Sequence, residues 1–251
     1  DLVNNMHRIT LDSVRGSQKN PGMIRVTQNW IGPRGVGIEG ATFIPPIPEE
    51  VYGLLQNLYQ YMNDQFIDPY LINVALSHVQ FETIHAYSDG NGRLGRALIP
   101  VQMAKLDEEK PILYLSEILE LYKPSYQRNL MDCRRGNVAG YIKFFLQCVI
   151  DQCNNYIYKI ERIKTVYKED MEKIKVFNGN TIYRIMPVII KQIVFTKKEV
   201  QDMSGVSVNT VSKLIDRLVE LKIIVPDSNV VKKGYRYQRI YEIFVGNEAY
   251  M

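Results

Sequence analysis

His85-Ala86-Tyr87-Ser88-Asp89-Gly90-Asn91-Gly92-Arg93-Leu94-Gly95-Arg96 brings an imidazole, a carboxylate, a glycine turn and two guanidiniums into twelve consecutive residues. These are the parts needed to hold a nucleoside triphosphate with a metal and to deprotonate an incoming hydroxyl. The glycines tolerate positive φ and carry no side chain, so the backbone there can approach an anion closely. Asn91 also tolerates the left-handed region and brings a side-chain N–H donor. A helix beginning at about Gly92 would aim its free N–H groups and its dipole at a phosphate. Arg93 and Arg96 would then lie three apart on one helical face, where both can reach the same polyanion.

Working outward, Leu71, Val74, Ala75, His78, Phe81 and His85 step by one, three and four, the spacing of a helix face. That weighs against a dinucleotide-binding reading of Gly90-Asn91-Gly92-Arg93-Leu94-Gly95, which requires a buried strand before the glycines. No G-x-x-x-x-G-K-[ST] occurs, so a Walker-type ATPase is not supported. His78, Glu82 and His85 share one side of the helix, and two His with one carboxylate are common zinc ligands. The better reading packs and hydrogen-bonds His78 inside the core and uses Glu82 to orient a neighbour.

The surrounding composition is that of a globular chain: 251 residues, 46% hydrophobic and 23% charged, with no apolar stretch of membrane-spanning length. Cys133, Cys148 and Cys153 are odd in number and lack a C-x-x-C pair, so buried thiols in a reducing cytoplasm are expected. Residues 48–64, 70–84 and 92–105 read as helices, with Pro45-Pro46 leading into the first and Pro100 kinking the third. Residues 116–122 and 137 to about 175 extend a mainly α bundle. A Gly/Asn break at 176–180 marks a boundary between domains 1–175 and 180–251.

The second domain reads as a winged helix-turn-helix and is similar to many bacterial regulators. Helices are expected at Ile182–Val194, at Thr196–Met203 with Thr196 as N-cap, and from Ser207 to about Leu221. Strands at Ile223–Val225 and Tyr237–Phe244 would flank a wing at Lys232-Lys233-Gly234. Residues 180–251 hold 11 Lys and Arg against 7 Asp and Glu, while the rest of the chain is balanced, so the formal charge of +4 lies here. Lys213, Arg217, Lys232, Lys233, Arg236 and Arg239 are candidate phosphate contacts for DNA.

The twelve-residue run closely resembles the signature of the Fic family, His-x-Phe-x-(Asp/Glu)-Gly-Asn-Gly-Arg-x-x-Arg. Tyr87 stands at the usual Phe, and Ala86 where Pro is commonest. The resemblance implies a Fic-type bundle that transfers AMP from ATP to a Ser, Thr or Tyr hydroxyl of a target protein. His85 would be the general base and Asp89 the Mg²⁺ ligand. Gly90, Asn91 and Gly92 would form the anion hole, and Arg93 and Arg96 the phosphate clamp. Residues 24–46 look like the family's β-hairpin flap, which registers an extended target segment and sets Ile31 and Gly32 near the nucleotide. Tyr126 and Gln127 would line the base, with Gln127 and Arg134 standing where the family often has Tyr and Asn.

The family's inhibitory motif finds only a near match, Gly35-Val36-Gly37-Ile38-Glu39-Gly40, which lacks the hydroxyl residue and reads as a loop. The inhibitory element is therefore expected before Asp1 or on another chain, with the 251-residue form less restrained than the native one. Rival expectations are a nucleotide-sensing DNA-binding regulator, transfer of another nucleotide-derived or phosphocholine group, and removal of AMP. No membrane partner is expected, and a homodimer is possible.

Overall fold

The computed structural model describes residues 2–12, 18–33, 35–63, 69–104, 113–177, 179–227 and 234–246. Two compact units divide the chain, residues 1–153 and 154–251. The division falls inside one long helix, α7 (Val138–Lys173), rather than at the Gly/Asn break. The reason is apolar. Ile163, Val166 and Tyr167 in the back half of α7 pack into the core of the second unit.

The first unit contains α1 (Leu2–Leu11), α2 (Pro48–Asn63), α3 (Tyr70–Ile84), α4 (Asn91–Met103), α5 (Ser116–Leu121), α6 (Lys123–Arg134) and the first half of α7. Helix α3 is central. Residues on most of its circumference are buried, including Val74, Ala75, His78, Val79, Phe81, Glu82 and Ile84, as in a helix surrounded by others. Two apolar clusters flank it. One joins Val51, Leu55 and Leu58 of α2 to Phe81, Tyr87, Leu94 and Leu98. The other joins Val74, Ala75 and Val79 to Ile99, Leu119, Tyr126, Leu130 and Phe145. Pro100 lies within α4, as the sequence requires. Among the described residues of 24–46 no regular hairpin forms. They make one antiparallel bridge, Ile31 to Phe43, and a 3₁₀ turn at Ile38–Gly40. Pro33 has no N–H to donate to a ladder, and the glycines at 32, 35, 37 and 40 weaken a strand through their backbone freedom.

The second unit runs α8 (Ile182–Gln192), β1 (Val194–Thr196), α9 (Lys197–Ser204), α10 (Val208–Glu220), β2 (Val225–Asp227), β3 (Gly234–Arg236) and α11 (Gln238–Val245). The three strands form an antiparallel sheet in the order β1-β3-β2. Phe195 and Pro226 both stand opposite Tyr235. Proline is tolerated because β2 is an edge. Thr196 caps α9 through a reciprocal box with Glu199, and Gly205 ends that helix at φ 65°. The Tyr237–Phe244 stretch, expected as a strand, is instead capped by Tyr237 and folded as helix α11 (Gln238–Val245). Tyr237 and Ile240 are buried three apart and Ile243 packs on the same core, a helical spacing that outweighs the β-propensity of Tyr, Ile and Phe.

Among the described residues no helix is long and apolar enough to cross a membrane. The three cysteines are free. Cys148 is buried and Cys133 partly so, but Cys153 is exposed, against expectation.

Candidate active site

Helix α3 ends at His85, whose left-handed backbone (φ 49°, ψ 55°) turns the chain out of the helix. Two side-chain donors hold that turn, Arg25 Nε at 3.0 Å and Asn29 Nδ2 at 3.1 Å from the His85 carbonyl oxygen. Arg25 is itself buried and also donates to the carbonyls of Thr27 and Pro46. Five residues later Gly90 takes φ 82° and starts α4. A Cβ there would meet Leu11 Cδ2 at 3.0 Å and His7 Nε2 at 3.2 Å, so the position demands glycine twice over.

The loop between these turns is fixed from inside. Asn91 was expected in the anion hole, but its side chain points inward. Its Oδ1 accepts from the Tyr87 N–H at 2.9 Å and its Nδ2 donates to the Tyr87 carbonyl at 2.7 Å. Tyr87 is buried, and its extra hydroxyl donates to Asn4 Oδ1 at 2.6 Å. His7 stacks on the ring with centroids 3.9 Å apart. Its Nδ1 accepts from the Gly22 N–H and its Nε2 donates to the Asp89 carbonyl, both at 2.8 Å. Helix α1, which the sequence reading did not identify, thus braces the motif loop. Its signal was the Asn4/His7 pair, one helical turn apart.

Above this loop lies a cavity of about 480 Å³. Ile31, Gly32 and Thr42 come from the bridged segment, Glu82 and His85 from the end of α3, and Gly92 and Arg96 from α4. Tyr126, Gln127, Leu130, Met131 and Arg134 come from α6. His85, Gly92, Arg96, Ile31, Gly32, Tyr126 and Gln127 therefore meet where the sequence placed them together. Gly90, Asn91, Asp89 and Arg93 are not in the lining. Arg93 Nη2 instead reaches Asp89 Oδ1 at 3.4 Å.

Burial holds the His85 imidazole down to about 4. Arg134 and Arg25 push in the same direction, against the Glu82 carbonyl and the Asp89 charge. The ring is therefore neutral at physiological pH, and the same burial makes it a weaker base than a free imidazole. Tyr126 is buried, and its hydroxyl meets His78 Nε2 at 2.8 Å. His78 Nδ1 faces the Gly95 carbonyl at 3.2 Å, so both ring nitrogens are used within the core. Among the described residues no group of three or more His, Cys, Asp or Glu is placed to hold a metal ion.

Two further residues of the lining were read from the sequence in other terms, Arg134 at the base wall and Glu82 as an orienting group. Arg134 donates to the Glu82 carbonyl at 2.9 Å and to Thr83 Oγ1 at 3.2 Å, and its guanidinium lies 3.9 Å from the centre of the Phe43 ring. It also walls a second cavity of about 520 Å³ that holds none of the motif residues. Glu82 is buried, and burial raises its carboxyl to about 7 against the pull of Arg96 and Arg134. The signal for Glu82 was Gly92 and Gly95, three apart on α4, which leave space for a neighbouring side chain.

Of the four candidate DNA contacts among the described residues, three are engaged within the protein. Arg217 lies 4.1 Å from the Phe177 ring centre. Arg236 Nη1 is 3.7 Å from Asp227, and its Nε donates to Gln238 at 2.9 Å. Arg239 pairs with Glu169 and Asp170. Lys213 is exposed. Lys232 and Lys233 lie outside the described residues.

Residues 1–103 match the Fic/DOC family. Over 137 residues the chain is 30% identical to the protein adenylyltransferase fic-1 of Caenorhabditis elegans, covering 53% of this chain and 25% of that protein. Over 63 residues it is 40% identical to a probable protein adenylyltransferase of Aquifex aeolicus, covering 25% of this chain and 19% of that one. The chain thus spans about a quarter or less of the curated relatives it matches. A Fic family protein from Desulfovibrio desulfuricans shares the fold over 94% of this chain and 67% of its own, with a TM-score of 0.53 and 14% identity.

Proposed function

We propose that this chain, whose residues 1–103 match the Fic/DOC family and which is similar over part of its length to protein adenylyltransferases, transfers AMP from ATP to a hydroxyl side chain of a target protein. The observation that carries this reading is the neutral His85 ring lining one cavity with Arg96 and the start of α4. In the proposed reaction His85 accepts the target hydroxyl proton. The hydroxyl oxygen bonds to the α-phosphorus, the bond to the β-phosphate oxygen breaks, and pyrophosphate departs. Arg96 and the first N–H groups of α4 hold the phosphates, so catalysis is chiefly positioning and charge stabilisation.

Asp89 suits a Mg²⁺ ion in the mode that uses one carboxylate with phosphate oxygens and water. Its side chain is partly exposed, and its Oδ1 is turned to Gly90 and Arg93. The ion would neutralise phosphate charge. The bridged segment suits an extended target chain, since Val26, Trp30, Ile44 and Ile47 are exposed along it. Gln127 and Arg134 leave room for a base other than adenine.

Labelling tests the proposal. With Mg²⁺ and cell lysate, label should pass to protein from α-³²P-ATP and not from γ-³²P-ATP, and His85→Ala should abolish it. Label from neither position, with ATP still bound, would replace transfer by nucleotide sensing.

A second reading concerns residues 154–251. The order α8, β1, α9, α10, β2, β3 with β1 beside β3 supports a winged helix. Duplex binding through Lys213 would weaken with salt. Binding that is insensitive to salt, or absent, would leave a docking module instead.

A further inference from the structure

Five buried side-chain atoms among the described residues have no hydrogen-bond partner, and only Glu82 Oε1 belongs to a residue lining the 480 Å³ cavity. Glu82 is 5% exposed. Leaving such an oxygen unmatched costs about 1–3 kcal/mol, and more when charged. The fold nevertheless keeps space for it. A Cβ on Gly95 would stand 2.4 Å from Oε1. One on Gly92 would stand 3.8 Å from Oε1 and 3.2 Å from Arg96 Nη1. The unmatched oxygen and the guanidinium therefore border the same glycine in the first turn of α4, where helix N–H groups are free.

We propose that Glu82 is a ligand-binding group that enters the complex as the protonated acid, donating its O–H to an oxygen of the polyphosphate held at Arg96, so that binding takes up one proton. The inference rests on the nucleotide reading of this cavity. A carboxylate facing a polyphosphate repels it, whereas a carboxylic acid supplies a donor and removes the orphaned oxygen.

The neighbours leave Glu82 as the group that changes charge near neutrality. Arg96 from α4 and Arg134 from α6 are fixed cations. Burial raises Tyr126 of α6 and Tyr141 of α7 well above the ordinary phenol. It holds His78 and His85, on and just after α3, at about 4. The Glu82 carboxyl stands at about 7. A polyanion raises it further, so ligand affinity is flat below about pH 6 and falls up to about tenfold per unit above pH 7.

The test is calorimetric titration with metal-free ATP at pH 7.5, in two buffers of different ionisation heat, on the wild type and Glu82→Gln. The glutamine keeps an N–H donor, and the titration of ATP itself is common to both proteins. The wild type should take up at least about half a proton more than the variant. Its Kd should weaken up to about tenfold from pH 7.5 to 8.5 while that of the variant changes only as ATP itself requires. Equal proton counts with ATP bound by both would overturn the role of Glu82 alone. Failure of the wild type to bind ATP would overturn the nucleotide reading beneath it. If circular dichroism shows the variant unfolded, infrared difference spectra of the wild type decide. A new protonated-carboxyl C=O stretch on adding ATP supports the proposal, and its absence overturns it.

Discussion

Each unit buries a carboxylate, and the two are treated in opposite ways. Asp170, in the second unit, is fully buried, with Tyr237 Oη at 2.9 Å, Arg239 Nη1 at 2.9 Å and Lys173 Nζ at 2.5 Å around it. Glu82, in the first, is nearly as buried and its Oε1 has nothing. Hydrogen bonding to the charged form stabilises a buried carboxylate, while desolvation alone drives it to accept a proton. Asp170 is thus a fastening that joins the end of α7 to α11. Glu82 lines a cavity and is complete only when something fills it. A buried polar group tells of function by the partner it lacks.

The comparison can be broken first at the chemistry that the open site serves. His85→Ala should lower α-label transfer by about 10²–10⁴-fold, the usual worth of a general base, while ATP binding by calorimetry persists. Labelling at the wild-type rate would make the cavity a binding site only.

Next comes the acid itself. The folded-state value of Glu82, about 7, lies above its ordinary 4.5. Its stabilising contribution is therefore fully present below about pH 4.5 and is lost as pH rises through 7. Urea unfolding should show wild type losing on the order of 3 kcal/mol against Glu82→Gln across that window, with no divergence below it. Parallel profiles would mean that the carboxyl finds a partner after all.

Asp170→Ala is the converse. It should cost about 2–3 kcal/mol at neutral pH, mostly from stranding the buried Tyr237 hydroxyl. Arg239 and Lys173 are 35% and 44% exposed and can turn to water. The smallest effect belongs to Arg217→Ala, which removes an exposed guanidinium from the Phe177 ring. It should cost under about 1 kcal/mol in urea and leave the salt slope of any DNA binding unchanged, since that side chain is already occupied.

What the sequence disclosed follows the range of the forces involved. Helices α2, α3 and α4 were legible because their apolar spacing is local, and the motif turn because glycine and asparagine carry their conformations with them. The inward turn of Asn91 was not legible, because its partner is the Tyr87 backbone and either direction suits the residue type. Helix α1 went unread because its burial depends on Tyr87 and Gly90, more than eighty residues away. The Tyr237–Phe244 segment was misread because its residue types favour strands, whereas its spacing serves the core beneath α11. Most of the cavity followed from the motif and flap, but that Glu82 keeps an unpartnered oxygen beside Arg96 became visible only once α3 and α4 were brought together.

The left-handed backbone at His85 has an engineering consequence. A residue other than glycine held in that region carries strain of about 1 kcal/mol, maintained here by the grip of Arg25 and Asn29 on its carbonyl. Asparagine, whose short side chain can hydrogen-bond locally, adopts the same conformation more readily. His85→Asn should therefore melt a few degrees higher than the wild type in differential scanning calorimetry while transferring no label. Selection for thermal robustness alone would erode this position early, and a library screened only for stability would discard the proposed base.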